Sequence, residues 1–196
     1  LRGLQALGFG FIEMGTITKF EQEGNPRPRI FRLTKDGAII NRMGFPNDGA
    51  DKIRIHLQNI GRVGIPLGIS LGKSKNTPLG MAVEDYLYSF FMLYSYGDYF
   101  VINVSSPNTA NLRKLQNKEY LKIIVARTQE LNKTLAEVRH CQQKKILVKI
   151  APDLDLDAID DVLEVCFDCG VDGIIAVNTT ITRDGLSTPT QLKREG

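Results

Sequence analysis

Tyr99-Phe100-Val101-Ile102-Asn103-Val104-Ser105-Ser106-Pro107-Asn108-Thr109 is an apolar run that stops abruptly, with amides and hydroxyls crowded directly behind it. A strand buried in a sheet, with its end opening onto a site, reads this way. Two other stretches end alike. Ile146-Leu147-Val148 runs into Lys149-Ile150-Ala151-Pro152-Asp153, and Gly173-Ile174-Ile175-Ala176-Val177 runs into Asn178-Thr179-Thr180. Several parallel strands emptying onto one face is the arrangement these endings predict.

Working outward, short runs rich in Phe, Ile, Val and Leu at 9–14, 67–71, 99–104, 146–150 and 173–177 read as strands covered on both faces. Helical spacing fills the intervals. Leu121, Ile124, Val125, Leu131, Leu135 and Val138 recur at that spacing, as do Ile159, Val162, Leu163 and Cys166 behind a cap at Asp155 or Asp157. Such β-α alternation permits an open doubly wound sheet or a closed barrel. An open sheet binds chiefly at one switch point, whereas a barrel gathers loops from all its strands. Polar chemistry at almost every strand end therefore favours an α/β (β/α)8 TIM barrel. About five strands are legible against the eight of that architecture, so residues 1–196 read as an incomplete barrel, the central part of a single domain. Residues 19–36, with Gly24, Pro26, Pro28 and several basic side chains, read as a long surface loop.

Composition narrows the class. At 196 residues and 42% hydrophobic content the chain can bury a sizeable core without disulfides or metals. A net charge of +3 arises from 25 basic and 22 acidic residues that are well mixed, which argues against a nucleic-acid surface. Three cysteines form no spaced framework and suit a reducing compartment. The most apolar stretch, 86–96, is broken by Ser89 and Ser95 and falls short of the roughly 20 residues a membrane helix needs. Leu1, Leu4 and Leu7, with no initiating Met, read as the tail of a helix already under way, so the natural chain is expected to begin earlier.

Among the candidate chemistry, Asn41, Asn103, Asn108 and Asn178 stand out, because a carboxamide matches the imide and amide edges of a flat heterocycle. Each alone is also an ordinary turn former; four together favour a pocket. Lys149 lies in a run that should be buried, where an ammonium needs an anion, a flavin, or simply nearby Asp153. Ser106 is a weak base unless something relays its proton, and the two histidines, His56 and His140, lie in polar helix-like segments. Cys166 and Cys169 sit late in a helical pattern and read as core. The aromatic cluster of Tyr86, Tyr88, Phe90, Phe91, Tyr94 and Tyr96 reads as helix flank and core rather than a stacking platform. Gly8-Phe9-Gly10 lacks the third glycine of a dinucleotide fingerprint, Glu13 standing in its place.

Taken in order, Gly15 through Thr18, Gly24 through Arg29, Asn41 through Phe45, Asn103 through Thr109, Lys149 through Asp153, and Asn178 through Thr180 resemble dihydroorotate dehydrogenase over essentially the whole chain. Serine at Ser106, where class 1 enzymes carry cysteine, resembles class 2, the quinone-linked form. The resemblance implies an FMN barrel that oxidises dihydroorotate to orotate in pyrimidine synthesis and passes electrons to ubiquinone. By position it implies Ser106 as the base at C5, with Thr109 and Phe45 in a proton relay. Asn41, Arg42, Met43, Gly44, Phe45, Asn103, Asn108, Asn178 and Thr179 would hold the substrate. Thr16, Ser70, Asn103, Lys149 and Val177 would contact FMN, and Arg32 would line a quinone tunnel.

Ser70 stands where many members have asparagine, and Val177 replaces a common threonine; both loosen the list of flavin contacts. The resemblance further implies a monomer that meets the membrane through segments outside these residues, at the mitochondrial inner membrane in eukaryotes or the cytoplasmic membrane in bacteria. It places a first barrel strand before Leu1 and two more beyond Gly196, so the isolated chain is expected to be inactive. Two other readings stand beside it: another FMN-barrel pyrimidine dehydrogenase, and a truncated module that only binds ligands.

Overall fold

The computed structural model describes residues 1–188. A short helix α1 (Arg2–Ala6) leads into β1 (Ile12–Ile17), and an antiparallel hairpin of β2 (Ile30–Leu33) and β3 (Ala38–Asn41) follows. Then come α2 (Gly49–Ile60), β4 (Leu67–Leu71), α3 (Ala82–Leu93), β5 (Tyr99–Asn103), α4 (Lys118–Val138), β6 (Lys145–Ile150), α5 (Leu156–Asp168) and β7 (Gly173–Ala176). The main sheet is five-stranded, parallel, and ordered β1-β4-β5-β6-β7. Its strands therefore follow chain order, each joined to the next through a helix, and the order never reverses. A doubly wound sheet would reverse at its switch point; unbroken order is that of a (β/α)8 barrel.

Register explains which side chains go where. Phe100 pairs with Ile146, and Ile102 with Val148, so one set of strand residues points to the helices. These four are fully buried in a core shared with Tyr86, Phe90, Leu121, Ile124, Val125 and Val162. Phe90 meets Phe100 edge to face, with ring centroids 4.7 Å apart. The alternate set, Asn103 paired with Lys149, points to the opposite face, where the polar chemistry collects. Asp155 caps α5 by accepting from the Ala158 amide at 2.8 Å. Cys166 belongs to the core with Cys169 packed against it, and burial pushes its thiol up to about 11.

Two expectations need correction. The first strand begins at Ile12, not Phe9: Gly8 takes a left-handed φ of 87°, and Phe9 and Phe11 are exposed, so this stretch turns out of α1. The stretch 19–36 is not merely a loop. Residues 30–33 form β2, whose Leu33 and partner-strand Ile40 are buried, 34–36 form a 3-10 turn, and Gly37 closes the hairpin at φ 59°. Two strands of four residues, each with a single buried position and with Arg32 and Ile39 exposed, carry too little alternation to be read from sequence. The other four strands of the main sheet fall within one residue of expectation.

Replacing Phe100 by Ala should lower the free energy of unfolding by about 3–5 kcal/mol, measured by chemical denaturation. Phe167→Ala, at a side chain 83% exposed, should change it by less than about 0.5 kcal/mol.

Candidate active site

The polar face is organised by side chains at the carboxyl ends of the strands. Asn103, closing β5, donates from Nδ2 to Thr16 Oγ1 on β1 at 2.7 Å. Its Oδ1 accepts from the Ser105 amide at 3.1 Å and from Ser105 Oγ at 2.8 Å. Ser105 Oγ in turn accepts from Asn178 Nδ2, beyond β7, at 2.9 Å. Thr16 Oγ1 lies 3.0 Å from Ser70 Oγ on β4. Four strand ends are thus joined by one satisfied network, as buried polar groups require. From behind, Tyr86 donates its hydroxyl to the Asn103 carbonyl at 2.9 Å; burial raises its pKa and keeps it protonated as a donor.

The loop after β5 carries the serine. Ser106 is 5% exposed, and its Oγ accepts from the Asn108 amide at 3.2 Å. Asn108 Nδ2 donates to Asn41 Oδ1 at 3.2 Å, and Asn25 Nδ2 donates to the Asn108 carbonyl at 3.1 Å, so the hairpin is stapled to the serine loop. Thr109 Oγ1 is buried without a hydrogen-bond partner.

These elements enclose a pocket of about 370 Å³. Thr16, Asn41, Met43, Gly44, Phe45, Asn103, Ser106, Asn108, Lys149, Asn178 and Thr179, all anticipated from sequence, line it. Other expected residues stand off the lining. Ser70 is buried behind Thr16, and Thr109 is buried in the serine loop. Val177 is half exposed. Arg42 is turned away, its Nε donating to the Pro28 carbonyl at 3.1 Å and its guanidinium lying over the Phe31 ring. Arg32 is exposed on β2, because it alternates with buried Leu33.

Lys149 does not pair with Asp153. Its nearest carboxylate is Glu13 on β1, at 3.8 Å across the sheet's inner face, beyond hydrogen-bond reach. Asp153 instead takes Arg113 Nη1 at 2.8 Å, together with Thr180 Oγ1 and the Ile181 amide. Burial would raise the Asp153 carboxyl, but hydrogen bonds from Thr180, Ile181 and Arg113 outweigh it and hold the pKa below the ordinary carboxylate value. Sequence reading missed Gly15, Pro46, Glu13 and Arg113. Only Gly15 left a signal, as a glycine inside a strand: its φ is 132°, and a Cβ there would lie 2.6 Å from the Ser70 carbonyl oxygen.

A family model described as dihydroorotate dehydrogenase matches residues 1–195. The chain is 56% identical over 185 residues to a protein of Gloeobacter violaceus named dihydroorotate dehydrogenase (quinone), covering 94% of this chain and 50% of that one. It is 52% identical over 182 residues to a protein of the same name from Chloroflexus aurantiacus, covering 93% and 50%. Among solved structures, the Eimeria tenella DHODH in complex with ferulenol superposes with a TM-score of 0.85 at 39% identity, over 91% of this chain and 52% of that one. The chain spans about half the length of these relatives.

Because the folded-state pKa of Asp153 is depressed, its contribution to stability is complete above the unfolded value of about 3.9 and disappears as pH falls through the folded value. Denaturation midpoints measured between about pH 5 and pH 2 should therefore fall less steeply for Asp153→Asn than for the parent. Parallel curves would contradict this.

Proposed function

The chain belongs to the dihydroorotate dehydrogenase family, and from that premise we propose that its pocket oxidises dihydroorotate to orotate, with FMN as the hydride acceptor and ubiquinone as the final electron acceptor. One observation carries this reading: Ser106, Asn108, Asn103, Asn178 and Lys149, drawn from three strand ends and their loops, line a single pocket.

The residues suit a flavin. Lys149 presents its ammonium to the pocket, with Glu13 as an ion-pair partner at 3.8 Å that leaves its hydrogen-bond donors available to an electron-rich group. Thr16, Asn103 and Lys149 would hold FMN from the lining, with Ser70 supporting Thr16 from behind and the backbone at Val177 beside the pocket. Bound there, FMN would accept the hydride leaving C6 of dihydroorotate.

The chain's own groups account for the rest. Asn41, Asn108, Asn178 and Thr179 offer both donors and acceptors, matching the alternating N–H and C=O edge of the pyrimidine ring. Met43 and Gly44 line the pocket beside them, whereas Arg42 is committed elsewhere, its amide donating to the Arg29 carbonyl at 2.9 Å. Ser106 takes the proton from C5. A serine needs a route for that proton, and the unpartnered, buried Thr109 hydroxyl three residues along the same loop, with Phe45 lining the pocket, offers the start of one.

Ubiquinone as acceptor rests on the relatives' names and on serine at Ser106. Arg32 shares the outward face of the hairpin with exposed Ile30 and with its register partner Ile39, an apolar surface beside a cation that suits a quinone's approach. Bacterial curated relatives favour the cytoplasmic membrane over the mitochondrial inner membrane as the place of this reaction. Among the described residues no helix is long and apolar enough to cross a membrane.

In the intact protein, Ser106→Ala should lower dihydroorotate turnover by roughly 10²–10⁴-fold while leaving orotate affinity near the parent value. Unchanged turnover would remove Ser106 from its role. Arg32→Ala should raise the KM for quinone without slowing flavin reduction by dihydroorotate; an unchanged quinone KM would free Arg32 of that assignment.

A further inference from the structure

Arg113 lies outside the pocket, yet its guanidinium joins the segments that follow β5, β6 and β7. Nε donates to the Ser105 carbonyl at 2.9 Å, on the loop after β5. Nη2 donates to the Thr179 carbonyl at 2.9 Å, beyond β7. Nη1 meets Asp153 Oδ2 at 2.8 Å, beyond β6. Asp153 then reaches on to Thr180 Oγ1 and the Ile181 amide, crossing from the β6 loop to the β7 loop a second time.

The base of this arrangement is fixed. Arg113 belongs to the 3-10 turn 112–116, in which Leu112 and Leu115 are fully buried. Gln116 of the same turn accepts from the Ala151 amide at 2.8 Å. The Arg113 and Asp153 side chains are 21% and 19% exposed, so the ion pair sits at the rim of the strand ends, partly open to solvent. A planar guanidinium offers divergent donors in fixed directions, which a lysine ammonium cannot reproduce.

What the guanidinium grips is informative. Ser105 immediately precedes Ser106, and Thr179 immediately follows Asn178; both accept through backbone carbonyls. Apart from the Asn178 to Ser105 side-chain bond, this is the direct polar link between the serine loop and the Asn178–Thr179 loop among the described residues. We propose that Arg113, locked by Asp153, is a positioning residue that sets the separation between Ser106 and the Asn178–Thr179 wall, and thereby aligns C5 of the substrate with the serine hydroxyl. The proposal rests on the reaction assigned above.

The test uses the intact, flavin-loaded protein with Arg113→Lys, Arg113→Ala and Asp153→Asn. Flavin reduction is followed anaerobically with dihydroorotate and with its C5-deuterated form. Misalignment should slow reduction by ~10–100-fold per bound flavin, more for Arg113→Ala than for Arg113→Lys, and enlarge the C5 isotope effect because proton removal becomes slower. Added guanidinium should restore part of the Arg113→Ala rate. Parental rates and isotope effects in folded variants would overturn the proposal. Loss of rate that merely follows loss of fold or flavin, in Arg113→Lys as well as in Arg113→Ala, would also overturn it, by assigning the pair to the scaffold. Failure of dihydroorotate to reduce the parent's flavin would instead refute the reaction itself.

Discussion

A single carboxamide, that of Asn103, holds the site together. Buried at the end of β5, it must satisfy both its donor and its acceptor or lose about 1–3 kcal/mol. It does so by spanning to Thr16 on β1 and by turning the chain back so that the amide and hydroxyl of Ser105 reach its oxygen. That second requirement dictates how the backbone leaves the strand. With Ser105 aimed inward at Asn103 and Asn178, the next residue, Ser106, is presented to the pocket. Ser70 and Tyr86 extend the constraint to β4 and α3.

The sheet divides its labour by face. Toward the helices lie Phe100, Ile102, Ile146 and Val148, fully buried in the core whose burial drives folding. Toward the other face, the alternate register positions are released from that task and carry Asn103 and Lys149. On that face Lys149 has Glu13 of β1 as its counter-charge at 3.8 Å. Rigid strands beneath and polar loops above are the division on which barrel enzymes depend.

Much of this was legible in the sequence, and the reason is local. Apolar runs that end in polar residues mark both a strand and its site-facing end, so β5, β6 and β7 and the residues Asn103, Lys149 and Asn178 could be named without coordinates, whereas Ser106 was singled out by family resemblance. The β2–β3 hairpin was not legible, because two four-residue strands behind the Pro- and Arg-containing stretch 26–29 resemble a loop until Leu33 and Ile40 find the core. Lys149 and Asp153, four residues apart, suggested a pair, yet strand geometry sends the lysine inward while the aspartate is taken by Arg113, 40 residues earlier. Partners at that separation leave no trace in a single sequence. The same limit hid Glu13 opposite Lys149.

The most direct test of the central claim, that this asparagine-lined pocket is a flavin site oxidising dihydroorotate, is the visible absorption spectrum of the intact protein, recorded anaerobically before and after dihydroorotate is added. The account predicts an oxidised flavin band that bleaches on addition and returns when a quinone is supplied. A protein without that band, or a band that dihydroorotate leaves unchanged, would contradict it.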